Sequence, residues 1–339
     1  MATAFVGISG WRYKPWRGVF YPKGLVQRNE LAFVAERLNS VEINGSFYSL
    51  QTPSSYSRWA ADVPDDFVFA VKGGRYLTHI LRLQNIDTAL PNFFASGVLA
   101  LGPKLGPILW QLPPTLAFDA DLVRSFLQSL PRSTAAALAV ARGHDERLDG
   151  RNWLHIDADR PLRHAIEVRH PSFDSDEFTD LMREQDAAIV VADSAGHFPQ
   201  MFTVTSDFVY VRLHGAQELY VSGYPDELLH DWADRIEGWL TGLGTPDGKP
   251  RDVSVYCDND VKVRAPYDAM RLRELLSERG LEPAQPFSAD RSARNACTDE
   301  TTTEPSPTAE ATRFTEPRRT SPMAKSPGTD ASRAPGARS

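Results

Sequence analysis

Eight short runs rich in β-branched and aromatic residues follow one another along this chain, each bounded by turn residues: Phe5–Ser9, Val41–Asn44, Phe67–Lys72, Ile108–Leu112, Ala165–Arg169, Ala188–Asp193, Phe208–His214 and Val253–Asp258. Most intervals between them carry helical periodicity. Residues 28–38 place Leu31, Val34, Ala35 and Leu38 on one face, a period of about 3.6 rather than 2. Pro53–Ala61 opens with proline in its first turn, where the missing N–H costs nothing. Segments 87–101, 119–130, 226–240 and 267–279 continue the pattern, the last stopping at Gly280, and Asp174-Ser-Asp-Glu-Phe predicts a cap with an acidic first turn. Strand–helix alternation implies parallel pairing through right-handed crossovers. Eight such units predict an α/β fold of the TIM (β/α)8 type. Residues 194–207 leave little room for a helix, so one crossover is degenerate, and Ala135–Ala141 reads as an additional short strand.

The barrel assignment takes up residues 1–284 of the 339. Residues 285–339 are dominated by Thr, Ser, Pro, Ala, Arg and Glu and predict a disordered, low-complexity tail, because they offer too little apolar surface to offset their ordering entropy. The net charge of −7 argues against broad coating of nucleic acid but leaves room for a local basic pocket. Cys257 and Cys297 provide neither a disulfide framework nor zinc-ligand spacing, which fits a reducing cytoplasm. No signal peptide and no membrane span are expected, since no long apolar stretch occurs. The oligomeric state is left open.

Polar residues gather at the C-terminal ends of the predicted strands. Side chains two apart in a strand share a face, so Glu42 with Asn44, Glu167 with Arg169, and Tyr210 with Arg212 and His214 each lie on one side, opposite apolar neighbours. The outer face of a barrel packs on helices, so the polar set is predicted to point inward at the mouth: Glu42, Asn44, Lys72, Gln111, Glu167, Arg169, Asp193, Arg212, His214 and Asp258. Burying charges costs several kcal/mol each unless they are paired. Mutual ion pairs fixing the mouth are one explanation of the cluster; a site that holds or polarises a ligand is the other.

The first loop interleaves Trp11, Tyr13 and Trp16 with Arg12, Lys14 and Arg17, a composition that suits stacking on a sugar or base beside a phosphate. A small satellite core under the loop would use the same residues, and for Trp16, Phe20 and Tyr21 it is the preferred reading. Gly73 and Gly74, followed by Arg75 and His79, offer backbone N–H groups to an anion. Glu42, Glu167, Asp193, His214 and Asp258 could make an oxygen-rich divalent site, but three nearby cations oppose it, and no metal ligand is assigned. Cys257 shares the outer parity of Val255 and reads as packing. Gly7-Ile-Ser-Gly-Trp lacks the closing glycine of a nucleophile elbow, and Gly242-Leu-Gly-Thr-Pro-Asp-Gly follows a helix rather than a strand.

Seven ordered motifs resemble those of the YecE-like family, domain of unknown function 72: Gly7-x-Ser-Gly-Trp-x-Tyr-Lys-x-Trp, Val41-Glu-Ile-Asn-x-Ser-Phe-Tyr, Phe67-x-Phe-x-Val-Lys, Thr78-His, Leu105-Gly-Pro with Gln111-x-Pro-Pro, Glu167-x-Arg with Ser172, and Tyr210-x-Arg-x-His-Gly. The resemblance covers roughly residues 4 to 280 and implies a TIM barrel but no established reaction. Where the family has an aromatic followed by two asparagines, this chain has Tyr256-Cys-Asp-Asn-Asp, so Asp258 adds a negative charge to the mouth.

These readings predict an enzyme acting on an anionic, phosphorylated or carboxylated small molecule or nucleotide-like substrate. Glu42 or Glu167 would be the general acid or base and His214 its proton-carrying partner. Lys72, Arg169 and Arg212 would hold the anion, with Trp11, Tyr13, Asn44, His79, Gln111, Asp258 and Asn259 completing the substrate contacts. The alternative is a non-catalytic barrel that binds a nucleotide or an RNA end through Trp11. The cofactor is unknown on either reading.

Overall fold

The computed structural model describes residues 2–281. Eight parallel strands close into a barrel in chain order: β1 (Ala4–Ser9), β2 (Ser40–Ile43), β3 (Val68–Lys72), β4 (Leu105–Gln111), β5 (His164–Glu167), β6 (Ala188–Asp193), β7 (Phe208–Leu213) and β8 (Asp252–Cys257). Helices α1 (Glu30–Ala35), α2 (Gly45–Tyr48), α3 (Pro53–Ala61), α4 (Ala89–Ala95), α5 (Ala120–Ser129), α6 (Thr134–Ala141), α7 (Asp176–Glu184), α8 (Asp226–Thr241) and α9 (Ala265–Glu278) fill the crossovers. The predicted α/β barrel of TIM type is the observed fold, and the β6–β7 crossover carries no helix. The tail predicted at 285–339 lies outside the described residues. No described helix is long and apolar enough to cross a membrane.

One local expectation changes. Residues 135–141 are not a strand but most of α6, because an alanine-rich run is the best helix former and the Ser133 side chain caps it by accepting from the N–H of Ala136. The cap expected within Asp174-Ser-Asp-Glu-Phe is Ser175, whose side chain accepts from the N–H of Phe178, with Asp176 and Glu177 supplying the acidic first turn.

The core has two layers. Outward-facing strand residues such as Val41, Ile43, Val211, Leu213, Val255 and Cys257 join the helices in one continuous apolar cluster. Inside the barrel a separate plug is built from Ala70, Leu109, Ala165, Val190, Tyr210 and Tyr256 among others. Four alanines offset the bulk of Phe208, Tyr210 and Tyr256 in this plug, so small and large side chains fill the interior together. Gly7 belongs to the same inner layer; a Cβ there would stand 2.2 Å from the Ser40 carbonyl oxygen. Toward the C-terminal ends of the strands the interior turns from apolar to charged.

Candidate active site

Arg212 lies at the centre of that charged layer and is fully buried. Strand β7 places it two residues above Tyr210, in register with Tyr256 of β8 and Ala192 of β6. Its Nε donates to Glu42 Oε2 (3.1 Å), Nη1 to Glu167 Oε2 (2.7 Å), and Nη2 to Glu42 Oε1, Asp258 Oδ2 (2.9 Å each) and Ser9 Oγ (2.8 Å). Glu42 also accepts from the Tyr210 hydroxyl (2.7 Å) and from Ser9 Oγ. This innermost tier is therefore a closed ion-pair network, and Arg212 and Glu42 have no surface left for a ligand.

The tier above it is also buried, Glu167 and His214 fully and Lys72 and Asp258 to within a tenth, but its hydrogen bonding is incomplete. Burial would raise the Glu167 carboxyl, but Arg169, Arg212, His214 and Lys72 hold it well below the usual carboxylate range. Arg169 donates to Glu167 Oε1 through Nε (2.8 Å) and pairs with it through Nη2, and its Cζ lies 4.4 Å from the Phe198 ring centroid. Burial likewise works against an ionised Asp258, and Arg212 and His214 overcome it to keep the carboxylate charged. His214 Nδ1 is 2.9 Å from Asp258 Oδ2, so the imidazole is oriented as in an Asp–His pair. Its Nε2 is buried, 3.7 Å from Glu167 Oε1, and has no hydrogen-bond partner among the described residues. Lys72 ends β3, and its ammonium lies 4.5 Å from the centroid of Phe47 without a carboxylate partner among the described residues. Burial, then Arg212, push it down to about 8, against the pull of Glu42, Asp258 and Glu167.

The remaining candidates divide between this cup and its surroundings. Asn44 donates to Ser9 Oγ (2.9 Å) while its own Oδ1 stays unpartnered. Gln111 is buried at the end of β4, in register with Glu167. Tyr13 donates its hydroxyl to the Ser9 carbonyl (2.6 Å). His79 hydrogen-bonds Thr78 Oγ1 through Nδ1 (2.9 Å), and burial followed by Arg169, Arg75 and Lys72 push it down to about 4, so it is neutral at physiological pH. Trp11 instead turns into the outer core, edge-on to Trp59 of α3 at 5.3 Å. Asn259 is committed to Ser222 O (2.9 Å) and Asp268 Oδ2 (2.7 Å), tying the end of β8 to α9.

Asp193 does not belong to the inward set. It is in register with Leu213, shares that residue's outward face, and lies beside the Tyr224 hydroxyl. Strand β6 is apolar on both faces, so its one polar end could not reveal the phase. The carboxylates that remain converge on Arg212, and among the described residues no group of three metal-ligating side chains could hold an ion. The two-glycine loop also differs from expectation. The Gly73 N–H is taken by the Leu109 carbonyl (2.8 Å), and Gly73 lacks a side chain because the Trp110 ring occupies the space a Cβ would need.

Sequence reasoning missed Ser9, Tyr220 and Asp260. Ser9 was accessible to the same parity argument, since it sits two residues above Gly7 in β1. Tyr220 stands edge-on to His214 at 5.3 Å from an uncommon left-handed backbone (φ 63°), a position no local pattern announces. Burial and the neighbouring Asp258 raise Asp260 to about 6.

A family model described as a protein of unknown function, DUF72, matches residues 5–292. This chain belongs to the DUF72 family. The UPF0759 protein YecE of Escherichia coli strain K12 is 23% identical over 242 residues, spanning 69% of this DUF72 chain and 81% of its own length. UPF0759 protein YunF of Bacillus subtilis strain 168 is 25% identical over 115 residues, 32% of this chain and 40% of its own. A crystal structure of a DUF72 family protein from Thermotoga maritima MSB8 superposes with a TM-score of 0.61 at 22% identity, over 81% of this chain and 99% of that one. That likeness speaks to the DUF72 fold alone.

Proposed function

We propose that the barrel mouth is an enzyme active site for a small anionic molecule, carboxylated or phosphorylated, worked on by proton transfer. The observation that carries this reading is the second tier of the cup: His214 Nε2 is buried without a partner, and the Lys72 ammonium is buried without a carboxylate. Leaving buried polar groups unmatched costs about 1–3 kcal/mol each, more when they are charged, a cost that a bound ligand or water removes. Arg169 and Lys72 provide the positive side. The Asp258–His214 pair is the proton carrier, because its outer nitrogen is free, whereas both oxygens of Glu167 and of Glu42 are engaged by cations. Arg212 and Glu42 are then positioning residues beneath the site.

The test is a thermal-shift screen of inorganic phosphate and of carboxylated and phosphorylated metabolites, followed by assays of any compound that protects the protein. Ligands that bind only the folded state raise the midpoint by mass action. Protection that is lost in Arg169→Gln, with His214→Asn binding but not turning over the ligand, is the expected result. A screen without a single protecting anion, or equal protection of Arg169→Gln, overturns the proposal.

A further inference from the structure

The unpaired state of Lys72 is unusual for its surroundings. Three carboxylates occupy the same cup, yet both oxygens of Glu42 and Glu167 and Oδ2 of Asp258 go to Arg212, Arg169, His214 or hydroxyl groups, and among the described residues no carboxylate is within ion-pair distance of the lysine. Lys72 is 7% exposed, its ammonium rests on an aromatic face, and the residue sits at the C-terminal end of a barrel strand. An ammonium held only as a structural charge would be expected to take one of those carboxylates. A lysine kept off its counter-ions and out of water is instead the arrangement that favours the free amine, the form that attacks carbonyl carbon.

We propose that Lys72 is an amine nucleophile that forms an imine with a small aldehyde or ketone bearing a carboxylate or phosphate. This rests on the anionic cup described above and names its substrate class. The Nζ lone pair adds to the carbonyl carbon while the carbonyl π pair moves to oxygen. Oxygen then takes up two protons in all and leaves as water, and nitrogen keeps the new C=N bond. Free amine, carbonyl and one added proton become a protonated imine and water: one amine proton passes to oxygen and one stays on nitrogen, and the second proton on oxygen is the one added, with no change of oxidation state. Arg169, whose Nη1 has no partner among the described residues, holds the anionic end, and His214 is the proton carrier. The positive charge that Lys72 contributes to the cup is preserved in the protonated imine.

The experiment uses the full chain with glyoxylate and sodium cyanoborohydride, which fixes an imine as a stable secondary amine. Intact mass and peptide mapping locate the adduct, and labelling is followed from about pH 6.5 to 10.5. The charged and titratable groups facing Lys72 are Arg212, Glu42, Asp258, Glu167 and His79. The expected result is labelling of Lys72 about tenfold faster at neutral pH than the exposed Lys14 and Lys23, with a midpoint near the value of about 8 set by its burial. Inorganic phosphate should suppress it, and Lys72→Arg should lose the adduct while remaining folded. Labelling of Lys72 no faster than Lys14 and Lys23, in protein that phosphate still protects, overturns the nucleophile and leaves the anion site standing. Fast labelling that phosphate neither suppresses nor accompanies with thermal protection overturns the anionic part of the substrate class.

Discussion

Replacing Arg212 with methionine tests whether the cup is held by one guanidinium. Methionine keeps much of the volume and removes the cation that ion-pairs with Glu42, Glu167 and Asp258 together. The three carboxylates do not lose equally. Glu167 keeps Arg169 and Asp258 keeps His214, but among the described residues Glu42 is left with the hydroxyls of Ser9 and Tyr210. The loss is therefore close to that of breaking one buried ion pair, about 3–5 kcal/mol. For a domain of this size that is a fall in melting temperature of roughly 6–20 °C. The pH dependence gives the sharper check. In the wild type Glu167 and Asp258 are held below their unfolded values, so their stabilisation is complete above about pH 4 and is lost as pH falls through the folded values. Without Arg212, burial dominates and the orphaned carboxyls are raised, so the variant is penalised most where they must be charged. Urea unfolding at about pH 7, 5.5 and 4, followed by tryptophan fluorescence, should show the gap between wild type and variant narrowing as the pH is lowered. A loss under about 1 kcal/mol at pH 7, or a gap that widens on acidification, would refute the reasoning.

Trp11→Ala should cost about 3–5 kcal/mol of stability, as expected for a large aromatic removed from a core, while thermal protection by phosphate persists; loss of protection with stability unchanged would restore Trp11 to the ligand site. Gly73→Ala forces a Cβ to 2.2 Å from Trp110 Cε3, and overpacking of this kind costs about 1–3 kcal/mol in denaturant titration; a neutral substitution would mean that the Trp110 ring moves freely.

The barrel was legible because helices separate all but one pair of consecutive strands and the outer strand faces are mostly apolar, with Asp193 among the exceptions. Parity then located Glu42, Glu167, Arg212 and His214 correctly, since each sits between apolar residues that fix the phase of its strand. It failed at Asp193, where Ala188–Ala192 is apolar throughout and inward and outward positions look alike. Alanine-rich residues 135–141 lacked β-branching apart from Val140, and their helix propensity outweighs the shortness that suggested a strand. The division of the cup into two tiers was hidden for a different reason. Sequence places Arg212 and Arg169 on the same inner surface, but not at different depths with different numbers of carboxylates around them. Tyr220 and Asp260 lie in loops, where position follows from the closed barrel and not from any local period.

Arg212 also explains why a barrel would carry so many buried charges. Apolar side chains of similar volume would stabilise the same space at least as well, so the network is not needed for stability alone. Its geometry shows a second effect. Arg212 holds Glu167, and Glu167 holds Arg169; Arg212 holds Asp258, and Asp258 orients His214. Both upper groups are thus fixed by a single buried cation through one intervening carboxylate each. Lys72 stands outside that chain of bonds, positioned by the end of β3, the face of Phe47 and the exclusion of water. A group that must stay charged is best tied to a counter-ion, whereas one that must release its proton to react is best left untied. The separation of Lys72 from every carboxylate in a cup built of carboxylates follows that rule.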